Sequence, residues 1–186
     1  MEPQRQQSQK ETSLAWFKLA DLIARGEREK ALNVFRLLSH SLPDRAYVLQ
    51  LEGDILWHLD DDKNSYEKYK QAAFLYQKEK RWIDAIAIYE HLLTQNPDSP
   101  DIVGSLLVFY AVIDWQEKFQ ERFGRLMKLF KKGDAGELQV EKIIQDVIDI
   151  VGITGNKCEK RWLFDWLSEV VDDLPEAIAT RLRGLL

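Results

Sequence analysis

Residues 31–43 read ALNVFRLLSHSLP, and residues 85–97 read AIAIYEHLLTQNP. Laid over one another they share a spacing: Ala31-x3-Phe35-x2-Leu38-x4-Pro43 in the first, Ala85-x3-Tyr89-x2-Leu92-x4-Pro97 in the second. Positions i, i+4 and i+7 fall on one face of an α-helix, so each stretch presents a small, an aromatic and an aliphatic side chain to the same side. Proline cannot continue a helix and redirects the chain. Working outward, helical spacing continues in both directions. Leu14, Phe17, Leu19, Leu22 and Ile23 recur at helical intervals and stop at Gly26, a C-cap residue. Short breaks follow at 43–44, 60–62, 80–81, 96–100, 114, 132–133, 152–155 and 172–173. The spacing predicts about ten helices of 11 to 18 residues. Such tight connections make sequential helices antiparallel neighbours. No alternating apolar–polar run bounded by turn dipeptides signals a strand.

Upstream of the first stretch lie Trp16, Leu19, Ala20 and Ile23. Upstream of the second lie Ala72, Ala73 and Tyr76, with Trp82 in the turn. Together these residues resemble the tetratricopeptide repeat, a 34-residue helix–turn–helix unit. The resemblance covers residues 13–131 and implies an all-α fold, a right-handed superhelix of antiparallel helical hairpins. In it, small residues such as Ala20 and Ala31 would let helices approach, and Phe35 and Tyr89 would fill the gap to the next hairpin. The pattern also departs from the family. Residues 45–79 keep Gly53 at the small position, Leu56, and Ser65-x3-Tyr69-x2-Ala72, but Glu52 stands where leucine is expected. Leu107 and Phe119 occupy positions that usually take small side chains, which implies wider packing. The interval from Ala31 to Ser65 equals the family's repeat length, yet the interval from Ser65 to Ala85 falls well short of it. The helix around 63–79 therefore serves two repeats, or one helix of the array is missing.

Composition bounds the function. The chain has 186 residues, 45% hydrophobic and 31% charged, with 9 Gly, 5 Pro and one cysteine, Cys158. One thiol excludes an intrachain disulfide or a multi-thiolate metal site. The net charge of −5 argues against nucleic acid, whose usual footprint is a basic face. Polar residues 1–12 contain no apolar segment of a secretory signal and read as a disordered N-terminal tail. No membrane-length apolar run occurs, and the cytoplasm is the expected location. The charge is not spread evenly. Residues 133–186 carry 6 basic and 11 acidic residues, which accounts for the whole −5. This region is read as an acidic C-terminal helical cap, with Leu138, Ile143, Ile144, Val147, Ile148 and Val151 on one apolar face. Trp162, Leu163, Trp166, Leu167, Val170 and Val171 form another, and Pro175 opens a last helix with Ile178, Leu182, Leu185 and Leu186. The Trp162–Trp166 stripe would pack on the last helix or mediate self-association.

No catalytic constellation emerges. His40, His58 and His91 lack metal-ligand spacing. Asp60, Asp62 and Asn64 imitate the start of a calcium loop, but Ser65 replaces the turning glycine and Gln71 the bidentate glutamate. The acidic triplet reads instead as a helix–helix turn. Gly152 to Lys157 lacks the phosphate-loop sequence and follows a helix, with Asn156 as an N-cap. Cys158, with Lys157 and Lys160 nearby, has no base partner in view. The expectation is a non-enzyme without cofactor or metal: an adaptor, assembly factor or chaperone. Alternatives are a structural subunit or homo-oligomer buried in a complex and, last, a thiol- or histidine-dependent enzyme.

The resemblance implies that the first helix of each hairpin lines a groove for a partner segment. Its register places Leu14, Phe17, Asp21 and Ala24 there, then Tyr47, Gln50, Asp54 and Trp57, then Lys70, Phe74 and Gln77, then Gly104, Val108 and Ala111. Phe17, Asp21, Gln50 and Asp54 do not reproduce the lysine–asparagine clamp with which some family members hold a C-terminal carboxylate. An amphipathic or weakly basic peptide of another protein suits Tyr47, Trp57 and Asp54 better.

Overall fold

The computed structural model describes residues 2–154, 161–174 and 176–183. Expectations at Gly155, Asn156, Lys157, Cys158, Lys160, Pro175, Leu185 and Leu186, and for the side chains of Val151 and Leu182, lie outside the described residues. Among those described there are ten α-helices and no strand: α1 Glu2–Ala24, α2 Arg28–Ser39, α3 Arg45–His58, α4 Asp62–Lys78, α5 Trp82–Gln95, α6 Pro100–Val112, α7 Gln116–Lys132, α8 Glu137–Thr154, α9 Arg161–Val170 and α10 Glu176–Arg183. A 3-10 turn, Val171–Asp173, joins α9 to α10. The backbone is helical from Glu2, across the stretch that the sequence reads as a tail. Pro3 falls in the first turn, where its missing N–H is not needed, and no glycine intervenes before Gly26. The chain divides into two compact units, 1–81 and 82–186. That division lies inside the stretch read as one repeat array, whereas the composition break lies near residue 132.

In the first unit α1 pairs with α2 and α3 with α4. Leu19 and Leu22 of α1, Ala31, Phe35 and Leu38 of α2, and Val48 and Ile55 of α3 share one buried cluster. Phe35 thus reaches the next hairpin as expected, whereas Ala20 is exposed and takes no share in the close approach. The α3–α4 pair is closed by two small residues. The Tyr69 ring lies so close to Gly53 that a Cβ there would sit 2.9 Å from it. The buried Ser65 hydroxyl donates to the Gly53 carbonyl at 2.9 Å. Glu52, the departure from the repeat pattern, pairs with Lys68 of α4 at 2.9 Å. The ambiguous helix 63–79 is α4, and within this unit it is the partner of α3.

In the second unit α6 is packed by α5, α7 and α8. It buries Ile102, Val103, Gly104, Leu106, Leu107, Phe109, Tyr110 and Ala111, which cover all sides of a 13-residue helix. A helix hydrophobic all round belongs in the middle of a core. Tyr89 of α5 meets Phe109 of α6 with ring centroids 5.4 Å apart. Phe119, the large residue at a small position, is met edge-on by Trp162 and Trp166 of α9 at 5.6 and 5.5 Å. The wider spacing forecast there is filled by indole rings. On α8 the buried face is Val140, Ile143, Ile144 and Val147; Leu138, assigned to that face from sequence, is exposed because its angle around the helix turns it to the solvent side. In α9–α10, Leu163, Leu167, Val171, Leu174, Ile178 and Ala179 are buried.

Five helices end in one device. A residue just past the helix is left-handed (Gly26, Asp60, Lys80, Asp114, Gly133), and the next amide bonds back five residues. These bonds are Glu27 to Leu22, Asp61 to Leu56, Arg81 to Tyr76, Trp115 to Tyr110 and Asp134 to Leu129, at 2.8–3.0 Å. This is the Schellman termination, usually built on glycine. Its positions recur: Gly26 and Asp60 are one tetratricopeptide repeat length apart, and so are Lys80 and Asp114. The inward triples follow suit. Ala31, Phe35 and Leu38 recur at the same interval as Ser65, Tyr69 and Ala72. Ala85, Tyr89 and Leu92 recur as Phe119, Phe123 and Leu126. Between the two series, from Asp60 to Lys80, the step is shorter.

Candidate functional site

The groove residues inferred from sequence fall on α1, α3 and α4. Phe17 and Asp21 stand on α1 at consecutive turns. Phe17 is 74% exposed, and Asp21 pairs with Arg25 at 2.9 Å. On α3, Tyr47, Gln50, Asp54 and Trp57 form one stripe. Asp44 fixes the start of this helix by accepting from the Tyr47 amide at 3.0 Å, a side-chain N-cap. The two ends of the stripe, Tyr47 and Trp57, are exposed, while its middle faces α4. The Tyr76 hydroxyl donates to Gln50 at 2.8 Å, and the Tyr69 hydroxyl donates to Asp54 at 2.6 Å. Burial pushes the Tyr69 hydroxyl well above the ordinary phenol range, and the Asp54 charge raises it further.

On α4, Lys70 and Phe74 are exposed and Gln77 is half-buried. The Lys70 ammonium lies over the Tyr66 ring, 5.4 Å from its centroid, and Lys78 lies over Phe74 at 4.8 Å. Tyr69 and Tyr76 of α4 thus bond the middle of the α3 stripe, whereas the ring contacts of Lys70 and Phe74 lie within α4 itself. Phe17 and Asp21 have no hydrogen bond, ion pair or ring contact with α3 or α4 among the described residues. The surface charge differs from the expected one. Both carboxylates assigned to the groove are occupied, Asp21 by arginine and Asp54 by tyrosine, and the exposed charges of α4 are the ammonium groups of Lys63, Lys70 and Lys78 beside the carboxylates of Asp62 and Glu67. Tyr66 and Lys78 were not singled out from sequence. Their signal is an aromatic residue followed four positions later by lysine, occurring twice in one helix.

The fourth set of groove residues is closed at Gly104 and Ala111. Gly104 lies under Ile143 of α8, and a Cβ there would come within 2.7 Å of that side chain; Ala111 is also buried. No partner can rest on Gly104 while α8 is in place, whereas Val108 is half-buried. Trp162 and Trp166 stand perpendicular to rings of α7: Trp166 meets Phe123 at 4.9 Å as well as Phe119. The Trp162 indole N–H donates to Asp114 at 2.9 Å.

A second polar arrangement, missed from sequence, lies in the 82–186 unit. Tyr110, buried in α6, donates its hydroxyl to Glu90 of α5. Arg122 of α7 holds the same carboxylate through three contacts of 2.7–3.1 Å. Burial lowers the affinity of this guanidinium for its proton, but the Glu90 bonds and charge outweigh it, so the net shift is upward. The group joins three helices. Elsewhere, His91 contacts Gln95 at 2.8 Å. Among the described residues no group of three His, Cys, Asp or Glu is placed to hold a metal ion, and no helix is long and apolar enough to cross a membrane.

A Drosophila melanogaster protein named BBSome complex member BBS4 homolog is 27% identical to this chain over 120 residues, covering 58% of this chain and 25% of that protein. The chain thus spans about a quarter of the length of this relative. No family model matches the sequence. No solved structure matches it.

Proposed function

We propose that this chain is a non-catalytic protein-interaction module of tetratricopeptide-like hairpins, an adaptor, assembly factor or chaperone, that holds a segment of a partner protein on the faces of α1, α3 and α4. The carrying observation is the exposure of Phe17, Tyr47, Trp57 and Phe74, with Leu14 beside Phe17 on α1, on helices that also contribute to the buried core. Exposed aromatic residues grouped on neighbouring helices mark interaction surfaces. Tyr and Trp are favoured anchors because each covers a large area with few rotatable bonds. The two pairs of left-handed turns, each pair one repeat length apart, support the repeat reading. The cytoplasm is the proposed location.

A second reading is a permanent subunit of a larger complex. It is favoured by the similarity to a protein named as a complex member. One experiment addresses both. The full chain and its Tyr47→Ala/Trp57→Ala variant are used as bait, with circular dichroism as the control for folding. Both side chains are exposed, so the variant is expected to keep its helix signal and lose its captured partner. Unchanged capture removes this face as the site. Light scattering addresses the homo-oligomer form of the second reading: a monomer at all concentrations excludes it.

A further inference from the structure

The outer face of α4 carries the same two-residue device twice, Tyr66 with Lys70 and Phe74 with Lys78. Helical side chains lean toward the N-terminus, so a lysine reaches back onto the ring four positions before it. Its stem lies on apolar surface and its ammonium is held near one place. Lys70, Phe74 and Lys78 are thus one line of the helix: cation, ring, cation. The cations are two turns apart, about 12 Å along the axis. Phe74, midway, is 52% exposed.

These ammonium groups differ from their neighbours. Lys68 pairs with Glu52 at 2.9 Å and Arg81 with Asp44 at 2.6 Å, whereas among the described residues neither Lys70 nor Lys78 meets a carboxylate. Asp54 of the adjoining helix is taken by Tyr69. Glu67 stands on the same exposed edge, and Lys63 offsets it. The face is therefore positive, with an apolar centre.

Resting on the reading of this chain as an interaction module, we propose that the outer face of α4 docks an acidic amphipathic helix of a partner protein. Two carboxylates two turns apart pair with Lys70 and Lys78, and an apolar side chain between them lies on the Phe74 ring. The complement of a cation–ring–cation line is an acid–apolar–acid line, which a helix supplies at i, i+4 and i+8. An anionic membrane is disfavoured because membrane-binding faces cluster about 4–8 basic residues with several inserting apolar side chains.

The test is fluorescence anisotropy of the full chain with a labelled, stapled helical peptide. The peptide has two glutamates eight positions apart and a leucine midway, among alanine and glutamine. A second probe carries lysine in place of both glutamates. The acidic probe is expected to bind about tenfold more tightly, since each exposed ion pair is worth up to about fivefold. Its affinity should fall as salt rises. Lys70→Glu/Lys78→Glu should invert the preference, and Phe74→Ala should weaken the acidic probe about tenfold, all with unchanged circular dichroism. Equal affinity for the two probes, or no binding of either, overturns the inference, as does stronger binding to phosphatidylserine vesicles than to the acidic probe. If the acidic probe survives charge reversal but is lost in the Tyr47→Ala/Trp57→Ala variant, this inference falls and the broader groove reading stands.

Discussion

Replacing Glu90 with glutamine keeps the volume and the hydrogen-bond acceptor for Tyr110 but removes the charge that Arg122 holds. Exposed ion pairs contribute about 0–1 kcal/mol, and breaking a buried pair costs about 3–5 kcal/mol. This one lies between, with the Arg122 side chain 14% exposed and that of Glu90 33% exposed. Glu121, 2.8 Å from Arg122, still neutralises part of the guanidinium. The expected cost is therefore about 2 kcal/mol, or roughly 4–8 °C in melting temperature for a chain of this size. Arg122→Met should cost a similar amount, because it strands the carboxylate with one tyrosine hydroxyl. The double variant should cost little more than either single one, giving a coupling of at least about 1 kcal/mol. Urea unfolding followed by tryptophan fluorescence is the assay. Four tryptophans, Trp82, Trp115, Trp162 and Trp166, lie in the unit that contains the network. Additive single and double variants, within about 0.5 kcal/mol, would refute the claim that these groups act together.

Lys80 is left-handed at φ 59°. Lys80→Gly removes a backbone penalty of about 1 kcal/mol, so thermal melts should shift upward by a few degrees, and a downward shift would contradict the assignment. Gly53→Val brings a Cβ within 2.9 Å of the Tyr69 ring; overpacking should cost about 1–3 kcal/mol in chemical denaturation and loosen α3 from α4. Burial pushes the Asp44 carboxyl up, but the Tyr47 amide and Arg81 outweigh it, so its folded pKa lies below the usual carboxylate range. A depressed folded pKa contributes stability above the ordinary value, about 4, that is lost as pH falls through the folded one. Asp44→Asn should accordingly flatten the acid limb of a stability–pH curve measured by circular dichroism, and an unchanged limb would show that Asp44 does not contribute.

The helices are legible because helical spacing and punctuation agree: Gly26, the Asp60 turn, Asp114 and Gly133 all end helices where the sequence says they should. Phe35 and Tyr89 packing on the next helix follows from the same pattern. Polarity is what reads 1–12 as a tail; Pro3 in the first turn and the lack of glycine are equally compatible with the helical backbone there. Leu138 falls on the wrong face in that reading because its offset from Val140 is small in sequence and large in angle. The groove fares unevenly. Spacing locates Tyr47, Trp57 and Phe74 on surfaces, since register fixes the face a residue occupies. It does not show that Asp54 is taken by Tyr69, or Gly104 covered by Ile143, because both depend on which helix lies opposite. The Glu90–Tyr110–Arg122 group joins three helices and has no local signature.

Gly104 has a consequence for how the chain grows. A series of stacked hairpins can in principle be lengthened by one more copy, because each new pair finds the same face waiting. Here α6 admits Ile143 only because residue 104 has no Cβ, and α8 seats itself on that face. The seat is made by an atom that is missing. If the hairpins form such a series, α8 occupies the place of the next one, and restoring that atom would uncover it.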